Sequence, residues 1–288
     1  MSHNPALSVI TPVYNGEKFV ARSYECLRQQ TFTDWEWIVV NDGSTDRTLD
    51  RLRAINDPRV QVVSYDANRG RGFARTSAVA RARGEWIVVW DVDDLYFPGR
   101  LARVNQARTG GYDFMCSYAV VVDNGLNMKG VRGFHPESGH FPRYFVHPTL
   151  ACRTELARRL GYPAEYRAGE DFTMVIGLAF NYRGDFVEDA LCVYQEDREI
   201  RLDKAIESNR NQLRQFRRLR RDGTIKVAQL TYWLALARWW GKIATLQLLR
   251  GAPRLYALTV KRRSKGETAP TWRLSGQYRE FLEAMRRA

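Results

Sequence analysis

Trp86-Ile87-Val88-Val89-Trp90 runs without interruption into Asp91-Val92-Asp93-Asp94. Five successive apolar residues, β-branched or aromatic and with no polar alternation, describe a strand buried on both faces. Its end is marked by three carboxylates. Working outward, residues 7–12 and 35–41 have the same character, and 60–65 a weaker version of it. Between these runs, 17–30 places Phe19, Val20, Tyr24 and Leu27 on one helix face, 45–55 opens on a capping-type Ser-Thr-Asp and carries Leu49 and Leu52, and 73–83 forms a third helical stretch. Strand and helix in alternation predict an α/β fold, Rossmann-like, with a mainly parallel sheet flanked by helices.

In such sheets the ligand meets the C-terminal ends of the strands, so residues capable of chemistry should follow each strand directly. They do. The first strand leads into Thr11-Pro12-Val13-Tyr14-Asn15-Gly16, the second into Asn41-Asp42-Gly43-Ser44-Thr45-Asp46, and the fourth into the aspartates. Along an extended segment Asp91 and Asp93 fall on one side, giving a pair of hard oxygen donors suited to Mg²⁺ or Mn²⁺ and to the phosphates such ions carry. The competing reading is an acidic turn or helix cap. Asp42 is either part of a capped strand-to-helix turn or an acceptor for a base or ribose. Pro12 and Tyr14 form either a wall for a planar base or ordinary turn and core contacts. Asn68-Arg69-Gly70-Arg71-Gly72-Phe73-Ala74-Arg75 is glycine-rich and basic before a helix, which lets backbone N–H groups and an arginine approach phosphate. It lacks the Gly-Lys-Ser/Thr ending of a P-loop.

Residues 110–197 read as a mixed region, with strands at 112–122 and 185–194 and helices at 154–160 and 171–179. From 198 onward the chain reads as helical over 205–221, 227–240 and 243–249. Charge divides the molecule at the same place. Residues 1–197 hold 23 Lys and Arg against 25 Asp and Glu, whereas 198–288 hold 22 against 7, so the net charge of +13 resides in the last third. Such a tail meets something anionic, a phospholipid surface or nucleic acid. Within it, Tyr232, Trp233, Trp239 and Trp240 lie among leucines and are bordered by arginines and lysines. That composition suits the plane of a membrane interface through about 224–263, and it equally suits a hairpin packed on the body or on a second copy. The longest charge-free run there, 227–237, is far short of the roughly 20 residues a bilayer span requires.

Hydrophobic residues at 44% and aromatics at 12% supply a core and argue against general disorder. Cys26, Cys116, Cys152 and Cys192 are scattered, with no zinc spacing, and read as buried thiols. The opening residues lack the basic and apolar blocks of a secretory signal, so the expectation is a cytoplasmic protein resting on the inner face of a membrane.

Taken in order, residues 11–15, 41–46 and 68–75, Gly84-Glu85-Trp86-Ile87, Asp91–Asp94 and Gly169-Glu170-Asp171 closely resemble the family 2 glycosyltransferases of GT-A fold, over residues 6–195. The resemblance implies inverting transfer from a nucleotide-diphosphate sugar, usually a UDP-sugar, to a glycan or lipid-linked acceptor, with Mn²⁺ or Mg²⁺. Carried over, Pro12 and Tyr14 flank the base and Asp42 binds base or ribose. Arg75 lies near the diphosphate, Asp91 meets ribose or metal, Asp93 holds the metal, and Asp94 shapes the turn or touches the sugar. Asp171 is then the base and Glu170 binds or orients the acceptor; read without the resemblance, the pair simply begins a helix. It further implies a catalytic domain over 1–197, its nucleotide half ending near 100, and a separate extension over 198–288. Tyr194-Gln195-Glu196-Asp197-Arg198 departs from the family's Arg-x-His segment, leaving Arg198 as a substitute phosphate ligand. His147, before Pro148, matches an acceptor-side position but also reads as structural, and His135 and His140 carry less signal. A nucleotidyltransferase shares the metal and phosphate, without its lysine-bearing glycine signature. A nucleic-acid-binding protein would use the tail but leave the aspartates unexplained, so no nucleic-acid partner is expected.

Overall fold

The structure is a computed structural model that describes residues 4–123, 125–134, 145–195 and 202–252, together with 280, 281 and 285. Its first half runs β1 (Leu7–Val13), α1 (Glu17–Arg28), β2 (Trp35–Asp42), α2 (Thr48–Arg53), β3 (Val60–Tyr65), α3 (Arg71–Arg81) and β4 (Trp86–Val89). Every residue of β1, β2 and β4 is buried, as their unbroken apolar character requires. These strands pair in parallel in the order β3-β2-β1-β4. The parallel order expected of the first 100 residues is therefore observed.

Beyond β4 the chain forms β5 (Leu95–Tyr96), α4 (Arg100–Thr109), β6 (Phe114–Val122), β7 (Met128–Arg132), β8 (Ala151–Arg153), α5 (Thr154–Leu160), α6 (Phe172–Asn181) and β9 (Gly184–Gln195). Here the sheet is mixed. β8 runs antiparallel to both β4 and β6, β9 runs parallel to β6, and β5 closes the far edge against β9. β4 is thus the strand at which a parallel half meets a mixed half. The residues that follow it emerge at that seam.

Two apolar layers cover the faces of the sheet. One gathers Val20, Leu27, Trp37, Trp86, Trp90 and Leu101, the other Ile10, Ile38, Ala78, Val89, Leu150 and Leu178. Trp37, Trp86 and Trp90 are fully buried, each indole removing about 150–250 Å² from water. All four cysteines are free and buried, and burial pushes the Cys26 thiol up to about 11.

α7 (Leu202–Arg221) and α8 (Gln229–Leu248) follow. Residues 227–240 and 243–249 had suggested two helices, but one helix passes through Gly241, whose cost of about 1 kcal/mol is well within what tertiary packing offsets. The hairpin of α7 and α8 does not stand apart. Leu213, Phe216 and Leu219 of α7 and Ala235, Leu236 and Ile243 of α8 share a core with Ile176 of α6. The domain boundary expected at 197 falls outside the described residues. Among the described residues no helix is long and apolar enough to cross a membrane.

Candidate active site

The loops after β1, β2 and β3 are locked to one another by short polar side chains. Asn15, at φ 51°, accepts the N–H of Thr45 at 2.8 Å, and its own N–H donates to Ser44 Oγ at 2.9 Å. Gly16 N–H donates to Thr48 Oγ1 at 2.8 Å. Gly43 stands at φ 69°, and a Cβ there would lie 2.4 Å from the Ala67 carbonyl carbon, so only glycine fits. The Asp42 carboxylate accepts the N–H groups of Arg69 at 2.9 Å and Gly70 at 2.8 Å. It fixes the glycine-rich loop at the entrance to α3. Beside it Pro12 is buried in β1, and Tyr14 is 49% exposed at the rim.

Arg75, on α3, is the electrostatic centre. Its side chain is 3% exposed, with Nη2 donating to Asp91 Oδ1 at 2.8 Å and Nη1 donating to Glu170 Oε1 at 2.8 Å. Arg71, one turn earlier and 52% exposed, pairs with Glu170 at 3.1 Å. A buried arginine is stable only when its charge is matched, and two carboxylates match it. Sequence placed Arg75 near a diphosphate and Glu170 on the acceptor. In the fold they hold each other, and Arg71 is the guanidinium left partly open to solvent.

The aspartate turn divides three ways. Asp91 accepts from Arg75, while its own N–H donates to the Tyr96 hydroxyl at 2.8 Å. Asp93 is exposed, and among the described residues its carboxylate forms no ion pair. Asp94 is buried, and its Oδ1 accepts the Gln195 N–H at 2.9 Å, tying the turn to β9. Among the described residues no group of three or more His, Cys, Asp or Glu side chains converges as a metal cage. Asp93 and the remaining oxygen of Asp91 nonetheless suit a hard divalent ion, which typically takes one or two carboxylates and completes its shell with water and substrate phosphate.

Across the site, Asp171 precedes α6 in the N-cap position, yet its side chain makes no capping hydrogen bond. Its carboxyl is half-buried. Loss of solvent and the adjacent Glu170 charge push its pKa up, and Arg75 and Arg71 pull in the opposite direction. Asp93 is likewise pushed up, by loss of solvent and by the Asp91 charge, and the same two guanidinium groups oppose the rise. His147 is buried, and its Nε2 shares a 2.9 Å hydrogen bond with the Tyr162 hydroxyl. Burial and the nearby Arg75 charge push its pKa well below the usual histidine range, keeping it neutral. The structure therefore brings Arg75, Asp91 and Glu170 into contact and sets Asp42, Pro12 and Tyr14 along neighbouring strand ends. Arg198, His135 and His140 lie outside the described residues.

Sequence reasoning overlooked Arg71 as an individual residue, although it is the second arginine of Arg69-Gly70-Arg71-Gly72. It also overlooked Gln215 of α7. Gln215 is buried and hydrogen-bonded to Gly169 and Thr173, on either side of Glu170 and Asp171. Only the tertiary packing of α7 reveals that contact.

The profile of "Glycosyl transferase family 2" matches residues 8–152, just over half of the chain. The glycosyltransferase MJ1057 of Methanocaldococcus jannaschii is 28% identical over 207 residues, covering 66% of this chain and 71% of that protein. The UDP-Glc:alpha-D-GlcNAc-diphosphoundecaprenol beta-1,3-glucosyltransferase WfgD of Escherichia coli is 27% identical over 155 residues, 53% of this chain and 60% of WfgD. Among solved structures, S. aureus TarS 1-349 in complex with UDP superposes with a TM-score of 0.60 at 25% identity, covering 81% of this chain and 70% of that one. With the GT-A architecture in place and the profile spanning β1 to β8, the chain belongs to glycosyl transferase family 2.

Proposed function

We propose that the protein transfers a sugar, with inversion, from a UDP-sugar to a hydroxyl of a glycan or lipid-linked acceptor in the synthesis of a cell-surface polysaccharide or glycolipid. The observation that carries this reading is that Arg75 donates to Asp91 and to Glu170 at 2.8 Å each, which brings the turn bearing Asp93 and the turn bearing Asp171 to one buried cation. Inversion by direct displacement needs charge stabilisation on the leaving diphosphate and one carboxylate to take the acceptor's proton. Asp93, with Asp91, would hold Mn²⁺ or Mg²⁺, which supplies the first. Asp171 supplies the second, its raised pKa making it the stronger base. Asp42 and the glycine-rich loop, with Pro12 and Tyr14, form the nucleoside side. UDP as the donor nucleotide is supported by the UDP complex of TarS, and a lipid-linked acceptor by the acceptor named for WfgD.

The extension adds a location. Among the described residues, five of the seven large hydrophobic side chains left exposed lie on α8: Leu230, Trp233, Leu234, Trp240 and Leu248. α8 carries Arg238 and Lys242 and no acidic residue, and the tail around it is strongly basic. We place this face on an anionic membrane surface, where a lipid-linked acceptor would be presented.

Release of UDP from a panel of UDP-sugars with Mn²⁺ tests the enzymatic reading. Turnover by the parent that falls at least about a hundredfold, to a low but measurable rate, in Asp93→Ala and in Asp171→Asn is expected. Parental turnover in either variant would overturn the corresponding role.

A further inference from the structure

α7 lies outside the segment matched by the family profile, and the sequence gives it no chemical role. Its buried face is apolar at Leu213, Phe216 and Leu219, yet Gln215, at the margin of that face beside Leu219, is also wholly buried. An amide is a poor choice for packing, since burying it costs free energy unless it is hydrogen-bonded. Here every bonding position is used. Gln215 Oε1 accepts the Thr173 N–H at 3.2 Å and the Thr173 hydroxyl at 2.8 Å. Gln215 Nε2 donates to the Gly169 carbonyl at 2.8 Å and to the Asn211 carbonyl at 3.3 Å. Donors on one side and acceptors on the other permit a single orientation of the amide.

The consequence lies in what sits between the two contacts. Gly169 and Thr173 bracket Glu170 and Asp171, so one side chain grips the backbone before and after the two carboxylates. Asn211, one turn earlier on α7, adds a third hold by donating to the Ala168 carbonyl at 3.0 Å. The close approach is built in: Gly169 stands at φ 72°, and a Cβ there would lie 3.0 Å from Ser208 Oγ of the same helix.

We infer that Gln215, assisted by Asn211, is a positioning residue that fixes the Glu170-Asp171 turn, making α7 part of the catalytic apparatus and not an appendage to it. This rests on the reading of Asp171 as base. A catalytic group displaced by about 1 Å can lose up to about a hundredfold in rate, and the Arg75 contact with Glu170 alone does not hold Asp171.

The test uses the full chain and UDP release from the best donor of a UDP-sugar panel with Mn²⁺. Gln215→Leu, close in size and apolar, is expected to lower kcat between about tenfold and a hundredfold, with donor KM within about twofold and the thermal shift given by UDP and Mn²⁺ retained. Leu219→Ala, which opens the α7 core without touching the turn, is expected to lower Tm while keeping kcat. In an Asp171→Asn background Gln215→Leu is expected to cost nothing more, because it acts through Asp171. A kcat within twofold of the parent, or an equal loss in both backgrounds, overturns the inference. If Gln215→Leu does not fold, Asn211→Ala is read by the same criteria with a smaller loss. Failure of the underlying reading is distinct, since Asp171→Asn would itself then turn over like the parent.

Discussion

Asp91 and Glu170 are bound to the same guanidinium: Arg75 reaches Asp91 Oδ1 through Nη2 and Glu170 Oε1 through Nη1, each at 2.8 Å. Asp91 follows a strand of the parallel half and Glu170 belongs to the turn before α6, so one buried cation joins the two walls of the site. Removing it leaves two carboxylates short of their counter-charge. Arg75→Met is expected to destabilise the fold by about 3–5 kcal/mol, the range for breaking a buried ion pair from one side. Urea denaturation measures this; a loss below about 1 kcal/mol would mean that Arg71 and solvent already neutralise the pair.

Asp93 is the opposite case. Exposed and without an ion pair among the described residues, it does little for the fold, so Asp93→Asn should leave Tm within about 1–2 °C of the parent, as for a surface substitution. The further rise in Tm that Mn²⁺ gives in the presence of UDP should vanish in that variant. A preserved metal-dependent rise would locate the ion elsewhere.

With Asp171 in its proposed role as base, its pKa sets an acid limit on turnover. Burial and Glu170 raise it above the ordinary aspartate value, and a base works only when deprotonated, so kcat is expected to fall as pH drops through that raised value. Arg71 and Arg75 counter the rise. Arg71→Gln removes one of the opposing charges, so the acid limb should move to higher pH. A limb that stays in place, or moves lower, would separate Asp171 from the step that limits turnover.

Much of this was visible in the order of residues because the first half is built from strands buried on both faces. Residues 7–12, 35–41 and 86–90 have no solvent face to encode, so they stand out as apolar blocks ending in polar turns. The second half hides its elements. β5 is two residues long and β8 three, too short for any period, and in α4 the apolar residues Leu101, Ala102, Val104 and Ala107 are scattered among arginines and polar residues. Within the site, the aspartates were legible because they follow a strand. The partners of Arg75 were not, since nothing local specifies a pairing with Glu170 across 95 positions. Gln215 was less legible still: on a helix whose chief signal is charge, one glutamine gains meaning only when α7 is packed against α6.

Tyr232, Trp233, Trp239 and Trp240 form one aromatic group in the sequence, and the fold separates it into two. Tyr232 and Trp239 turn inward, Trp239 lying with its ring centroid 5.0 Å from that of Phe216 and 5.6 Å from that of Phe172. Trp233 and Trp240 turn outward, 57% and 54% exposed. The packed-hairpin and lipid-contact readings therefore concern different residues, and paired substitutions separate them. Trp239→Gln should lower Tm by roughly 5 °C or more, as loss of a large core aromatic does. Trp233→Gln with Trp240→Gln should leave Tm in place and weaken flotation with vesicles of phosphatidylserine and phosphatidylcholine at least about tenfold. Arg217 stands 5.8 Å from the Trp240 ring, so a cation lies beside the outward aromatic, and binding should decline as salt shortens the range of its field. Flotation that survives the outward pair, or that does not depend on anionic lipid, would remove the membrane from this face and leave it to a protein partner.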